Sequence, residues 1–167
     1  YAALLLMFTS AQPLAIYYFL YRRRIGIILK DPQIKSFTIL VIISFLVSLT
    51  LIHSFSIKYL FQIVSALSTT GYSALNNVDL PDSMKYLLSI LMIIGAGYGS
   101  TGGGLKQLRF FILVKSLINM FKRQMLPSKA VSPLKIGDHI IREEEVLRIY
   151  ELTILYILVL GLSVLVF

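Results

Sequence analysis

Six of the ten residues at 95–104, GAGYGSTGGG, are glycine. They sit between two apolar runs, 84–94 and 105–118, that read as helix. A glycine in a helix interior costs about 1 kcal/mol relative to alanine. Several together interrupt the helix rather than merely weaken it. A second stretch at 65–72, SALSTTGY, poses the same problem with β-branched threonines followed by a glycine. Both stretches lie among segments of membrane-spanning character. Lipid tolerates irregular backbone only where protein covers it or where it lines a watery cavity. Two such breaks predict a polar path through the bilayer.

The membrane assignment rests on composition. The chain is 57% hydrophobic and only 14% charged, against about 25% charged in soluble domains. Its mean hydropathy is +0.81. The formal charge is +8, but the cations flank apolar runs instead of decorating a polar chain. That argues against nucleic acid as a partner and for a multi-pass protein of the cell membrane, with the lipid bilayer as its surroundings. Cysteine is absent, and His53 and His139 are isolated, so neither disulfides nor a zinc site is expected. The chain opens and closes inside apolar runs, and we expect it to be a piece of a longer polypeptide.

Taken in order, residues 1–21 read as the end of a preceding unit: one tilted span with an ordinary kink at Gln12-Pro13 and tyrosines 17, 18 and 21 at headgroup level. Residues 22–36 form a basic loop, with Arg22, Arg23, Arg24, Lys30 and Lys35 opposed only by Asp31. Asp31-Pro32 offers a helix start, so the span at 37–52 is expected to begin a few residues early. Ser44 and Ser48, one turn apart, are placed to face another helix. Residues 56–67 carry helical spacing with Ser54 or Ser56 as cap, but are too short to cross. Two readings stand for this element: a re-entrant pore loop, or a surface helix and turn. Lys85 is expected to snorkel at the outer margin. Residues 86–118 read as one discontinuous crossing, with a close-packed small-residue surface as the plainer alternative. Together these elements span 37–118.

A basic linker at 119–148 follows, of which 122–135 is suited to anionic lipid or a soluble partner. Apolar residues from Ile140 onward suggest a helix under way before Glu145. Residues 149–167 are the first helix of a following unit. The positive-inside rule places the segments from Arg22 to Lys35 and from Lys106 to Arg148 in the cytoplasm. Three conventional crossings and one broken crossing result. No catalytic set accompanies them, and no enzyme activity is expected. The glycine run also lacks the lysine and preceding strand of a phosphate-binding loop.

Backbone carbonyls in a short extended stretch can replace the water shell of a potassium ion without a formal charge. Thr69, Thr70, Gly71 and Tyr72 are residue types suited to this, and the negative end of the helix before them favours a cation. The order of span, short helix, STTGYS, span, GYGSTGGGLK and basic segment resembles the Trk/Ktr/HKT superfamily of potassium-transport membrane subunits. The resemblance implies an all-α membrane fold of four fused helix–pore-loop–helix repeats with a discontinuous inner helix, of which this chain holds the third repeat. It implies potassium as the transported ligand, coordinated by Thr69, Thr70, Gly71 and Tyr72, and no covalent cofactor. It further implies a gating loop below the filter, comprising Gly97, Gly99, Ser100, Thr101, Gly102, Gly103, Gly104 and Lys106. Gly102 stands where many relatives carry alanine, Gln107 where many carry threonine, and Tyr72 replaces the commoner phenylalanine. The implied partners are the remaining pore repeats of the same polypeptide, a second copy in a homodimer, and a soluble nucleotide-binding regulatory subunit. Two other functions remain open: a secondary solute transporter with a broken-helix site, and a non-conducting membrane scaffold.

Overall fold

The computed structural model describes residues 2–24, 26, 28, 31–52, 56–76, 78–125, 135–136 and 139–166. The chain divides into two compact units, Tyr1–Gln107 and Leu108–Phe167. The first unit holds both sequence motifs.

The first unit opens with two short helices, α1 (Ala2–Ser10) and α2 (Leu14–Tyr21). They meet at 105°, which corrects the expected ordinary kink. The cause is local. Pro13 has no N–H to offer the carbonyl of Thr9 one turn back, and its ring opposes a continuing helix. The Thr9 carbonyl is taken instead by the Gln12 N–H at 3.0 Å and the Tyr17 hydroxyl at 2.6 Å. At the far end of α2 the Arg22 guanidinium lies 5.3 Å from the Tyr18 ring centroid, a cation–π contact suited to a membrane interface.

The long helix α3 (Pro32–Ile52) starts where the sequence predicts. The Asp31 carboxylate accepts the Gln33 N–H at 2.8 Å, while Pro32 fills the first helical position at no hydrogen-bonding cost. Phe37, Val41, Ser44 and Ser48 are buried; Ile39, Ile42, Ile43 and Leu46 are exposed. The serines thus point inward and the isoleucines outward, the polarity expected of a helix that meets lipid on one side and packs closely on the other.

The short helix α4 (Ile57–Ser68) is capped by Ser56, whose hydroxyl accepts the Lys58 N–H. It packs against α1, α3 and α5 (Asp82–Ile94). All seven residues from Gln62 to Ser68 are buried. The second half of the helix is thus packed inside the unit, while Ile57 and Lys58 at its start are exposed. Its length of 12 residues is about 18 Å at 1.5 Å per residue, against about 32 Å for the 21 residues of α3. Lys85, near the start of α5, pairs with Asp82 at 2.9 Å.

The second unit contains α6 (Gln107–Met125, which begins at the unit boundary), a two-residue antiparallel pairing of β1 (Lys135–Ile136) with β2 (His139–Ile140), and α7 (Glu143–Val166). Helix α6 continues past residue 118, and α7 begins at Glu143, ahead of residue 149 and under way before Glu145 as its apolar residues suggest. Glu143, Glu144 and Glu145 form the first turn of α7, where carboxylates complement the positive helix end. None of its residues is buried. Among the described residues, two helices are long and apolar enough to cross a membrane, within Gln33–Ile52 and Glu143–Val166, or three if the bent α1–α2 pair is one span. The bent pair is thus not the conventional crossing the sequence suggested. The stretch 126–134, most of the expected partner surface, lies outside the described residues, as do Lys30 and His53.

Candidate functional site

The site is built where the end of α4 meets the glycine loop. Helix α4 stops because Thr69 adopts left-handed geometry, φ 56° and ψ 28°. Its N–H bonds the Ala66 carbonyl at 3.1 Å, and the Thr70 N–H bonds that of Ser65 at 3.2 Å. The Thr70 hydroxyl lies 3.1 Å from that of Ser68 and 3.4 Å from that of Ser65. Gly71 also has positive φ, at 77°, whereas Thr70 and Tyr72 do not. The backbone therefore changes hand at successive residues, which no regular helix or strand does. Thr70, Gly71 and Tyr72 are exposed. The Tyr72 side chain is 66% exposed. Gly71 and Tyr72 also border an open cavity of about 220 Å³, together with Gln62, Ser65 and Ser89.

The glycine loop interrupts the helix as predicted: α5 ends at Ile94 and α6 begins at Gln107. The two ends of the loop are pinned together. The Leu105 N–H bonds the Ile93 carbonyl at 2.9 Å, and the Gln107 N–H bonds that of Ala96 at 3.0 Å. Gly95 and Gly104 make this neck possible. A Cβ on Gly95 would lie 2.4 Å from the Gly103 oxygen, and one on Gly104 would lie 2.6 Å from the Gly95 Cα. Both residues also have positive φ, so side chains are refused on two grounds.

From this neck the loop reaches the end of α4. The Gly103 N–H donates to the Thr69 hydroxyl oxygen at 2.5 Å. Gly102 faces the Ser68 carbonyl, 2.9 Å from where its Cβ would stand, and Ala96 Cβ would be only 2.4 Å away. The departure at Gly102 thus has a local reason: the Ala96 methyl occupies the space an alanine at 102 needs. Lys106, with φ 74°, turns its ammonium back under the loop. It donates to the Ser100 carbonyl at 3.1 Å and to the Gly102 carbonyl. The expected loop residues are therefore brought together, and Thr69 of the expected filter joins them. No bond links Thr70, Gly71 or Tyr72 to the glycine loop among the described residues.

Sequence reasoning missed a third participant, the break between α1 and α2. Its unused backbone groups bond to the glycine loop. The Gly97 N–H donates to the Ala11 carbonyl at 3.0 Å, and the Leu14 N–H donates to the Gly99 carbonyl at 3.1 Å. The Thr101 hydroxyl donates to the Ser10 carbonyl at 3.4 Å. An unpaired buried backbone group costs about 1–3 kcal/mol, and lipid offers no water to relieve it. Each break thus satisfies the other. Gln33, at the start of α3, adds its side-chain oxygen to the Tyr98 N–H at 3.0 Å. Two buried amides stand beside this region. The Gln12 nitrogen and both polar atoms of the Gln107 side chain have no hydrogen-bond partner among the described residues. Only the proline at 13 hinted at any of this, as the usual mark of a freed carbonyl.

A short helix that ends inside a packed unit, an irregular stretch after it and a glycine loop bonded to its end belong to a helical membrane architecture. Comparison with known proteins agrees. The TrkH family, described as cation transport protein, matches residues 33–167, and the chain belongs to that family. It is 32% identical over 111 residues to an uncharacterized cation transporter of Methanocaldococcus jannaschii, covering 66% of this chain and 23% of that protein. It is 34% identical over 117 residues to the Trk system potassium uptake protein TrkH of Vibrio parahaemolyticus, covering 65% and 24%. Over 152 residues it is 28% identical to the TrkH of Escherichia coli, covering 86% and 31%. The crystal structure of the potassium transporter TrkH from Vibrio parahaemolyticus superposes with a TM-score of 0.77 at 27% identity, covering 89% of this chain and 34% of that one. The chain thus spans about a quarter to a third of the length of these relatives. Its family and its apolar helices make it an integral membrane protein.

Proposed function

We propose that this chain carries one helix–pore-loop–helix repeat of a potassium uptake pore. Thr69, Thr70, Gly71 and Tyr72 coordinate the ion, and residues 97–104 with Lys106 gate the path beneath them. The observation that carries this reading is the bond from the Gly103 N–H to the Thr69 hydroxyl, which joins the end of the short buried helix directly to the glycine loop. The alternating hand of the backbone at 69 and 71 supports carbonyl coordination, because it departs from the up-and-down alternation of an ordinary strand. The negative end of α4 adds a favourable field. The exposure of Thr70, Gly71 and Tyr72 suits one quarter of a ring whose other quarters come from further repeats.

The same reading assigns the cytoplasmic side to the segments around 22–35 and 106–148. The Gln33–Tyr98 bond supports this, since it sets the start of α3 and the glycine loop at one end of the first unit. A homodimer and a soluble nucleotide-binding regulatory subunit belong to the proposal, with the basic stretch at 122–135 as contact surface.

The test uses the full-length protein in liposomes under a diffusion potential. The wild type should pass potassium in preference to sodium. A Cβ at Gly71 meets nothing within 4 Å, but φ is +77°. Gly71→Ala therefore perturbs the backbone and little else, at about 1–2 kcal/mol. We expect the potassium-to-sodium flux ratio to fall at least tenfold in that variant. Equal fluxes of the two ions in the wild type, or an unchanged ratio in the variant, would count against the filter.

A further inference from the structure

We infer that the glycine loop has two arms: residues 97–100 are a fixed arm clamped by Gln33 and by the break between α1 and α2, and only the segment from Thr101 to Gly103, between that arm and the neck, moves. The inference rests on the gating reading above and narrows it. Three consecutive residues of the first arm are held by three different elements. Gly97 is tied to the end of α1 through Ala11, Tyr98 to the start of α3 through Gln33, and Gly99 to the start of α2 through Leu14, all at 3.0–3.1 Å. Pro13 backs the arm as well, its Cδ 3.3 Å from where a Gly97 Cβ would stand.

The clamp is reciprocal. Ala11, Gln12 and Pro13 are buried. The Ala11 carbonyl has no helical partner across the bend. Lifting residues 97–99 would strand it and the Leu14 N–H together, where neither can turn to a regular helix bond while Pro13 is present. The arm therefore stays with α1 and α2.

The second arm is held differently. Its contact with the bend is the Thr101 hydroxyl on Ser10 at 3.4 Å, and its neck bond, from the Ala96 N–H to the Gly103 carbonyl, is also 3.4 Å. Both sit at the long edge of hydrogen-bond geometry. Ser100 belongs with the first arm, since its N–H and its hydroxyl both donate to the Gly97 carbonyl, at 3.2 and 2.6 Å. The remaining ties of 101–103 run to side chains, the Lys106 ammonium and the Thr69 hydroxyl, which can let go by changing rotamer. Gln33 is thus a positioning residue for the gate, acting through the Tyr98 backbone across 65 residues of sequence.

Residue-resolved amide hydrogen exchange on the full-length protein in lipid, paired with potassium flux, tests this. In the wild type the Gly97 and Tyr98 amides should exchange at least tenfold more slowly than those of Thr101 and Gly102. Gln33→Leu removes the acceptor and should speed Tyr98 exchange at least tenfold while raising unstimulated flux several-fold. Gln33→Glu keeps an acceptor oxygen and should match the wild type in both. A single exchange rate across 97–102 in the wild type, which requires no variant to fold, would overturn the proposal; so would Tyr98 exchange that ignores Gln33→Leu. A wild-type protein that carried no cation would sink the gating reading, while the exchange comparison would still decide whether the first arm is fixed.

Discussion

The first unit breaks its helices twice, and the two breaks are made in opposite ways. Between α1 and α2 one proline does it by taking away a donor, and the chain bends 105° within 11–13. Between α5 and α6 the run at 95–104 does it by taking away side chains, and the chain leaves helical geometry from 95 to 106. A proline break leaves carbonyls unused at a compact corner. A glycine break lets backbone approach backbone, as Gly95 and Gly104 do at the neck. The first can offer acceptors and the second can come close enough to fill them. Neither would be tolerable in lipid alone.

If that difference is real, the two breaks should fail differently. The largest effect is expected at the neck. Gly95→Ala or Gly104→Ala drives a methyl to within 2.4–2.6 Å of backbone atoms that no side-chain rotation can move. Each should destabilise the full-length protein by more than about 3 kcal/mol, read as loss of the monodisperse peak in gel filtration and a lowered thermal midpoint. Near-normal yield and midpoint would mean the neck is not closed as described.

An intermediate effect is expected at Gly102→Ala, where the worst overlap is with the Ala96 methyl. We expect about 2 kcal/mol, within the range for overpacking. Ala96→Gly in the same protein should recover a good part of it, though not all, because the Ser68 carbonyl still crowds the site. A double-mutant cycle measures the coupling, and strict additivity would refute the contact. The smallest effect belongs to the loosest bond between the breaks. Thr101→Val removes a hydroxyl contact of 3.4 Å and should cost no more than about 1 kcal/mol in thermal unfolding. A loss as large as that at the neck would show that the second arm is held as firmly as the first.

Much of this architecture was legible from residues. Asp31-Pro32 announced the start of α3, Ser56 the start of α4, and Thr69-Thr70-Gly71 its end, because capping and backbone preference act within a few residues. The interruption at 95–104 was legible for the same reason. The 105° bend was not, since a proline in an apolar run kinks a helix by an amount its neighbours decide. The helix under way before Glu145 was legible too, but the limit at 149 fell late, because the acidic residues 143–145 form its first turn and do not precede it. Gln33 gave no signal at all: a glutamine near a helix start has many uses, and its partner lies 65 residues away.

Local chemistry therefore settled where α3 and α4 begin, where α4 and α5 stop and that the chain belongs in a membrane. Those properties depend on hydrophobicity, capping and backbone freedom, which each short stretch carries with it. What meets the loop was decided only by tertiary structure. The glycines of 95–104 state that something comes close, and cannot say what. The fold answers with Ser68 and Thr69 on one arm, and with Ala11, Leu14 and Gln33 on the other. The physical reason is that a buried backbone group must be paired, but the identity of its partner depends on which distant segment packing brings within 3 Å.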